Sequence, residues 1–182
     1  SMSGPEIIVG VTGGISAYKS ADLVSQLVQS GVLVNVVMTG AAQAFIGKAT
    51  FAALSGRPVV DELFDSQRHP LGSHITLPEQ SQLLCIAPAT ADFLSKAVNG
   101  IADDLLSTLY LAFSGPVVMA PAMNSSMWSH PAVQRNVKQL QEDGVHLVGP
   151  DAGWLSCRSQ GLGRMADPTT IANEIQLLLD SR

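Results

Sequence analysis

Two short apolar runs in this chain end in the same way. Residues 83–87 (LLCIA) give way to Pro88-Ala89-Thr90-Ala91-Asp92, and residues 117–119 (VVM) to Ala120-Pro121-Ala122-Met123-Asn124. Runs so short and so uniformly apolar read as strands buried on both faces. Proline has no N–H to extend a ladder, so each strand is expected to leave the sheet there. Both following segments then fall just beyond the carboxyl ends of central strands, where open α/β sheets bind ligands. Two adjacent strands ending this way would line one crevice. The plainer reading of the second segment stays open beside it: a strand-to-helix turn with Asn124 as the helix cap.

The remaining pattern alternates strand and helix. Residues 7–11 read as a first buried strand and 32–38 as a second. Between them stand Gly13-Gly14-Ile15-Ser16 and a helix with Ala17, Ala21, Val24, Leu27 and Val28 on one face, closed by Gly31. A glycine turn of this kind can seat a phosphate at a helix N-terminus, although glycine also serves the turn's own conformation. The spacing is not G-x-G-x-x-G, and there is no P-loop. The second strand ends in Met38-Thr39-Gly40, where a ribose-binding acid would be expected for a dinucleotide. A mononucleotide therefore fits better than NAD or ATP. Residues 41–54 are predicted moderately helical, and the polar stretch 65–72 holds His69, read as solvated. His74, followed by alternating Ile75 and Leu77, is placed at the edge of an element, as a structural or a catalytic histidine. Helices are predicted at 93–98 and 102–113, with Asp103 and Asp104 as caps and not an acid–base pair. Val133, Val137 and Leu140 give helical spacing, and 145–148 a further strand. Residues 149–165 form a long, turn-rich segment of the length usual for lids. Trp154, Leu155 and Met165 argue against disorder there. Asp167-Pro168 opens a last helix with Ile171, Ile175 and Leu178 on its apolar face.

A chain of 182 residues, 46% hydrophobic, suffices for one α/β domain spanning 1–182. Ser1 before Met2 reads as an expression remnant, and residues 1–5 are expected to be foreign or disordered. A net charge of -5 without any Lys/Arg run argues against a nucleic-acid partner. No stretch is apolar for long enough to span a membrane, and no signal peptide opens the chain. The two cysteines lie far apart, Cys85 in a core strand and Cys157 among polar residues and glycines. That suggests neither a disulfide framework nor a metal site, and fits a reducing cytoplasm.

Four segments together resemble the flavin-dependent cysteine decarboxylases: GVTGGISAYK; SHITL followed by APATADFLSKAVNGIADDLL; APAMNSSMW with HPAVQRN; and SCRSQGLGRM. The resemblance is nearest to the branch that decarboxylates 4′-phosphopantothenoylcysteine to 4′-phosphopantetheine for coenzyme A. It implies a Rossmann-like (flavodoxin-like) parallel sheet with helices on both faces. It further implies FMN at a subunit interface of a homotrimer, or of a dodecamer of trimers. By motif position, Gly14, Ile15, Ser16, Thr39, Phe45, Thr90, Ala91, Asp92, Phe93 and Ala122 would surround the flavin. His74 would be the catalytic base and Cys157 the proton donor. Asn124 would hold the substrate carboxylate, with Met127, Trp154, Leu155 and Ser156 around the substrate. The chain departs from the family where an Arg or Lys is usual after the histidine, reading Pro78-Glu79-Gln80-Ser81 instead. Asp92-Phe93 and Arg158-Ser159 also replace commoner pairs. Relatives of this branch are often joined to a ligase domain. The rival readings are a peptidyl-cysteine decarboxylase releasing an enethiol, and a non-catalytic FMN-binding regulatory subunit. A flavin prenyltransferase of similar fold is disfavoured by the PAMN and Cys157 segments.

Overall fold

The structure, a computed structural model, describes residues 3–61, 67 and 71–181. His69, most of the polar stretch around it, and the Ser1-Met2 start lie outside the described residues. Five parallel strands form the sheet: β1 (Glu6–Val11), β2 (Leu33–Met38), β3 (Leu83–Ala89), β4 (Val117–Pro121) and β5 (His146–Leu147), in the order β2-β1-β3-β4-β5. This is the flavodoxin-like order, whose strand sequence reverses between β1 and β3. Gly4 and Pro5, expected to be foreign or disordered, already run beside β2, for Leu33 N–H donates to Pro5 O (2.8 Å).

Alternation of inner residues between two cores, broken only near the end of β3, explains why the runs looked uniformly apolar. Ile7, Val9 and Val11 of β1 enter one core, and Ile8 enters the other. In β3, Leu83, Cys85 and Ala87 face the first core, while Leu84, Ile86 and Ala89 face the second. Each face needs its own helices. On the first, α1 (Ala17–Gln29) packs against α2 (Lys48–Ser55) and α8 (Pro168–Asp180), burying Leu23, Leu27, Phe51, Ile171 and Ile175. On the second lie α3 (Ser73–Gln80), α4 (Ala91–Asn99), α5 (Leu105–Ala112) and α7 (Pro131–Glu142), burying Leu77, Leu94, Leu106, Leu109 and Leu140. A single-turn helix, α6 (Ser125–Trp128), follows β4.

Several local expectations are corrected. Residues 41–54 split at Gly47 into a 3₁₀ turn (Ala41–Ala44) and α2. His74, expected at the edge of an element, is the second residue of the helix α3, where Leu77 plugs into the second core at 2% exposure while Ile75 is left 39% exposed. The two prolines sit inside the last residues of β3 and β4, where the ladder is already irregular, its register shifting between Ile86 and Ala89. Of the two aspartates read as caps, Asp104 closes a full capping box with Ser107, and Asp103 lies outside the helix. The long segment 149–165 is an antiparallel hairpin of β6 (Asp151–Trp154) and β7 (Gln160–Arg164).

Candidate functional site

A cavity of about 780 Å³ opens at the carboxyl ends of β1, β3 and β4, at the point where the strand order reverses. Three turns, after β1, β3 and β4, and the hairpin make its walls, with Thr39, Gly40 and Ala41 after β2 closing the side next to the first.

The first turn runs from Thr12 into α1. Gly14 N–H returns to Thr12 O (3.1 Å), and Ala17 N–H to Gly14 O (3.0 Å). A Cβ on Gly13 would stand 2.5 Å from Ala41 Cβ and 2.8 Å from its carbonyl carbon, so only glycine lets this turn close on the one after β2. Ser16 occupies the N-cap of α1 but makes no side-chain cap bond. Ala17 N–H and Lys19 N–H are already bonded, the latter to Ser16 O (2.9 Å), so this helix start offers an anion the Ser16 hydroxyl and its positive dipole end rather than a full set of unbonded amides. Thr39 lines the cavity beside this turn, and its Oγ1 accepts from Ala42 N–H (3.2 Å).

The second turn carries Thr90, Ala91, Asp92 and Phe93, with Thr90 Oγ1 accepting from Phe93 N–H (3.2 Å) as the N-cap of α4. Behind it, Lys96 reaches Asp103 (3.2 Å) and Asp92 (3.4 Å). Burial alone would lower the Lys96 pKa; the two carboxylates outweigh it and hold it above its ordinary value. The third turn carries Ala122, Met123 and Asn124. Asn124 Oδ1 accepts from Met127 N–H (2.8 Å), so the cap reading of PAMN holds. Asn124 also lines the cavity, so the turn and the site are one feature.

The hairpin covers the third turn. Met123 N–H donates to Gly163 O (2.9 Å), and a Cβ on Gly163, at φ +148°, would collide with the Met123 carbonyl. Trp154, Leu155 and Ser156 line the cavity from β6 and the hairpin turn. Arg164 from β7 and Lys19 from α1 reach the same space and also line a neighbouring groove with Asp22, Asp151 and Asp167. Burial first, and the Arg164 charge second, push the Lys19 pKa below its usual value, while Asp167 and Asp151 partly offset this.

Of the residues anticipated from sequence, Gly14, Ile15, Ser16, Thr39, Thr90, Ala91, Asp92, Phe93, Ala122, Asn124, Met127, Trp154, Leu155 and Ser156 all line the one cavity. Three do not. Phe45 lies past the 3₁₀ turn, 50% exposed. His74 is half-buried in the first turn of α3, a helix that packs against α5 and β1. Cys157 is exposed in the hairpin turn, its Sγ 3.0 Å from Ser159 Oγ, one residue beyond cavity-lining Ser156. The other cysteine is inert: burial pushes the Cys85 thiol up to about 12. Glu79 is exposed and does not line its own chain's cavity. Sequence reasoning missed Thr12, Lys19 and Arg164. Lys19 was legible, since it lies three residues beyond Ser16 on the same helix face. Arg164 was not, because nothing marked its segment as a strand.

Comparison with known proteins agrees with this geometry. A family model described as "Flavoprotein" matches residues 1–180. The coenzyme A biosynthesis bifunctional protein CoaBC of Vibrio cholerae is 45% identical over 168 residues, covering 92% of this chain and 42% of that protein. The chain thus spans about two fifths of the length of the curated relatives it matches. The solved structure of the FMN-dependent cysteine decarboxylase SpaF shares 36% identity and a TM-score of 0.84, covering 100% of this chain and 98% of that one. A PPC decarboxylase mutant complexed with pantothenoylaminoethenethiol shares 27% identity and a TM-score of 0.88, covering 98% and 100%.

Proposed function

This chain belongs to the flavoprotein family, among the flavin-dependent cysteine decarboxylases, and from that premise we propose that it binds FMN in the cavity described and decarboxylates the cysteine moiety of 4′-phosphopantothenoylcysteine to give 4′-phosphopantetheine. The observation that carries this is the convergence, at the β1/β3 reversal, of an uncapped helix N-terminus, a second helix start and a hairpin bearing a thiol. The residues suit a flavin mononucleotide. Ser16, the N-terminal end of α1 and Lys19 suit a phosphate; Thr39, in place of an acid, leaves no partner for an adenosine ribose. The volume lies within the usual range for a small-molecule site.

When bound, FMN supplies reversible two-electron oxidation, which makes the thiol-bearing carbon an electron sink for loss of carbon dioxide. The chain's own residues do the rest. The Asn124 side chain, oriented by its bond to Met127 N–H, turns its amide toward a substrate carboxylate. Lys19 and Arg164 supply the positive charge missing after the histidine motif. His74 acts as the base and, since it does not line its own chain's cavity, serves a second copy. The assembly is then a homotrimer or a multiple of trimers, working in the cytoplasm. Cys157, next in sequence to cavity-lining Ser156, returns a proton to the enethiolate carbon. A ligase activity, attached or separate, would supply the substrate, in keeping with the bifunctional name of the relatives.

One observation favours a second reading. Cys157 stands outside the cavity, as it could in an enzyme that releases the enethiol without reducing it. Product mass separates the two readings. For the cofactor itself, heat-denatured protein should release FMN, identified by chromatography and mass. Release of FAD, a nicotinamide nucleotide or nothing would overturn the assignment.

A further inference from the structure

At the carboxyl end of β3 the sheet loses its regular bonding. The pairing of β3 with β1 ends at Gly10↔Ile86, and its register against β4 shifts between Ile86 and Ala89. Ala87 and Pro88 lie in this stretch, buried, and a buried carbonyl without a partner is costly. Two hydroxyls meet the need. Ser20 Oγ donates to Ala87 O, and Thr12 Oγ1 donates to Pro88 O, each at 2.5 Å. Both donors are almost fully buried, at 0% and 2% exposure.

The two hydroxyls differ in what they do next. Thr12 Oγ1 also accepts from Thr90 N–H (3.2 Å), and Thr90 Oγ1 in turn accepts from Phe93 N–H (3.2 Å). A relay therefore runs from β1 through Thr12 and Thr90 into the first turn of α4. Thr12, Thr90 and Phe93 all line the cavity; Ser20 does not. We infer that Thr12 is a positioning residue of the cofactor site: its hydroxyl sets the first turn of α4 against the glycine turn after β1. The spacing between these two walls is what a bound flavin would meet. The flavin part of this inference rests on the function proposed above; the setting of α4 does not. Valine in place of Thr12 would keep the shape and lose the hydroxyl. Pro88 O and Thr90 N–H would then have to move toward other partners, taking the start of α4 with them.

The test uses the full chain with Thr12→Val, Thr12→Ser and Ser20→Ala. Two quantities are measured: amide hydrogen exchange across residues 90–94 in cofactor-free protein, and the FMN dissociation constant by fluorescence titration. Thr12→Val should weaken FMN binding by roughly tenfold or more, the effect of losing one or two buried hydrogen bonds. It should also speed exchange at Thr90 and Phe93. Thr12→Ser, which keeps the hydroxyl, should restore both. Ser20→Ala loses an equally buried hydroxyl and should lower thermal stability while leaving both quantities at the wild-type level. If Thr12→Val does not fold, Thr12→Cys, with only a weak donor and acceptor, takes its place. Wild-type exchange at residues 90–94 in these variants, or a pattern matching Ser20→Ala, would reduce Thr12 to an ordinary buried hydroxyl. Should the unaltered protein bind no FMN, the proposed function fails, and the exchange comparison still decides the role of Thr12.

Discussion

Lys19 and Arg164 place two positive charges side by side at the cavity, which costs the ligand-free protein something. With the Lys19 pKa lowered on folding, the unfolded chain takes up this proton more readily than the folded one. The penalty is absent well above the ordinary value of 10.5, sets in as pH falls through it, and is complete below the lowered folded value. An anion bound between the two cations would reverse the balance. Lys19→Met should therefore leave the melting temperature of ligand-free protein unchanged or slightly raised, and weaken FMN or substrate binding. Thermal melts and flavin titration decide it; a lower melting temperature with unchanged affinity would make Lys19 structural. This pair also shows how far single residues could be read. Glu79, which looked obstructive in sequence, is exposed and does not line its own chain's cavity, while two cations line it from helix and hairpin positions that no local motif marks.

Elements were legible wherever burial set the pattern. The strands β1 to β4 announced themselves because apolar residues on both faces leave no polar interruption, and α1 and α8 because one face is apolar and their ends carry glycine or Asp-Pro. The helix α3 and the β6–β7 hairpin are among those that escaped. The helix α3 contains Pro78 and buries little besides Ser73 and Leu77, so its helical form comes from tertiary packing more than from propensity. The hairpin is built from DAGW and QGLGR, with three glycines and polar residues among its members, and is held by what lies beneath it. Met123 N–H bonds Gly163 O, and Gly161 packs on Ser125. Gly163→Ala tests that dependence. Gly144 also has positive φ (+90°) but faces open space, so alanine there meets only backbone strain, about 1 kcal/mol. Gly163→Ala adds the collision with the Met123 carbonyl and should cost about 1–3 kcal/mol more in chemical denaturation. Equal costs at the two positions would show that the hairpin base is not rigidly seated.

For the whole molecule, the placement of His74 decides how many chains make one site. His74→Asn and Asn124→Ala should each be inactive alone. Mixed and reassembled in equal amounts, they should regain about a quarter of wild-type activity if each site joins two chains of a cyclic oligomer. No recovery would place His74 and Asn124 in the same chain's site, or His74 outside the chemistry. The most direct test of the account as a whole is the mass of the product made from 4′-phosphopantothenoylcysteine by the purified protein under anaerobic conditions. The account predicts a product lighter than the substrate by one carbon dioxide and nothing else, and, for Cys157→Ser, a shift toward a species two hydrogens lighter still, with formation of the reduced product slowed by about a hundredfold or more. An unchanged substrate mass with FMN bound would contradict the catalytic reading, and the lighter enethiol as the wild-type product would contradict the role given to Cys157.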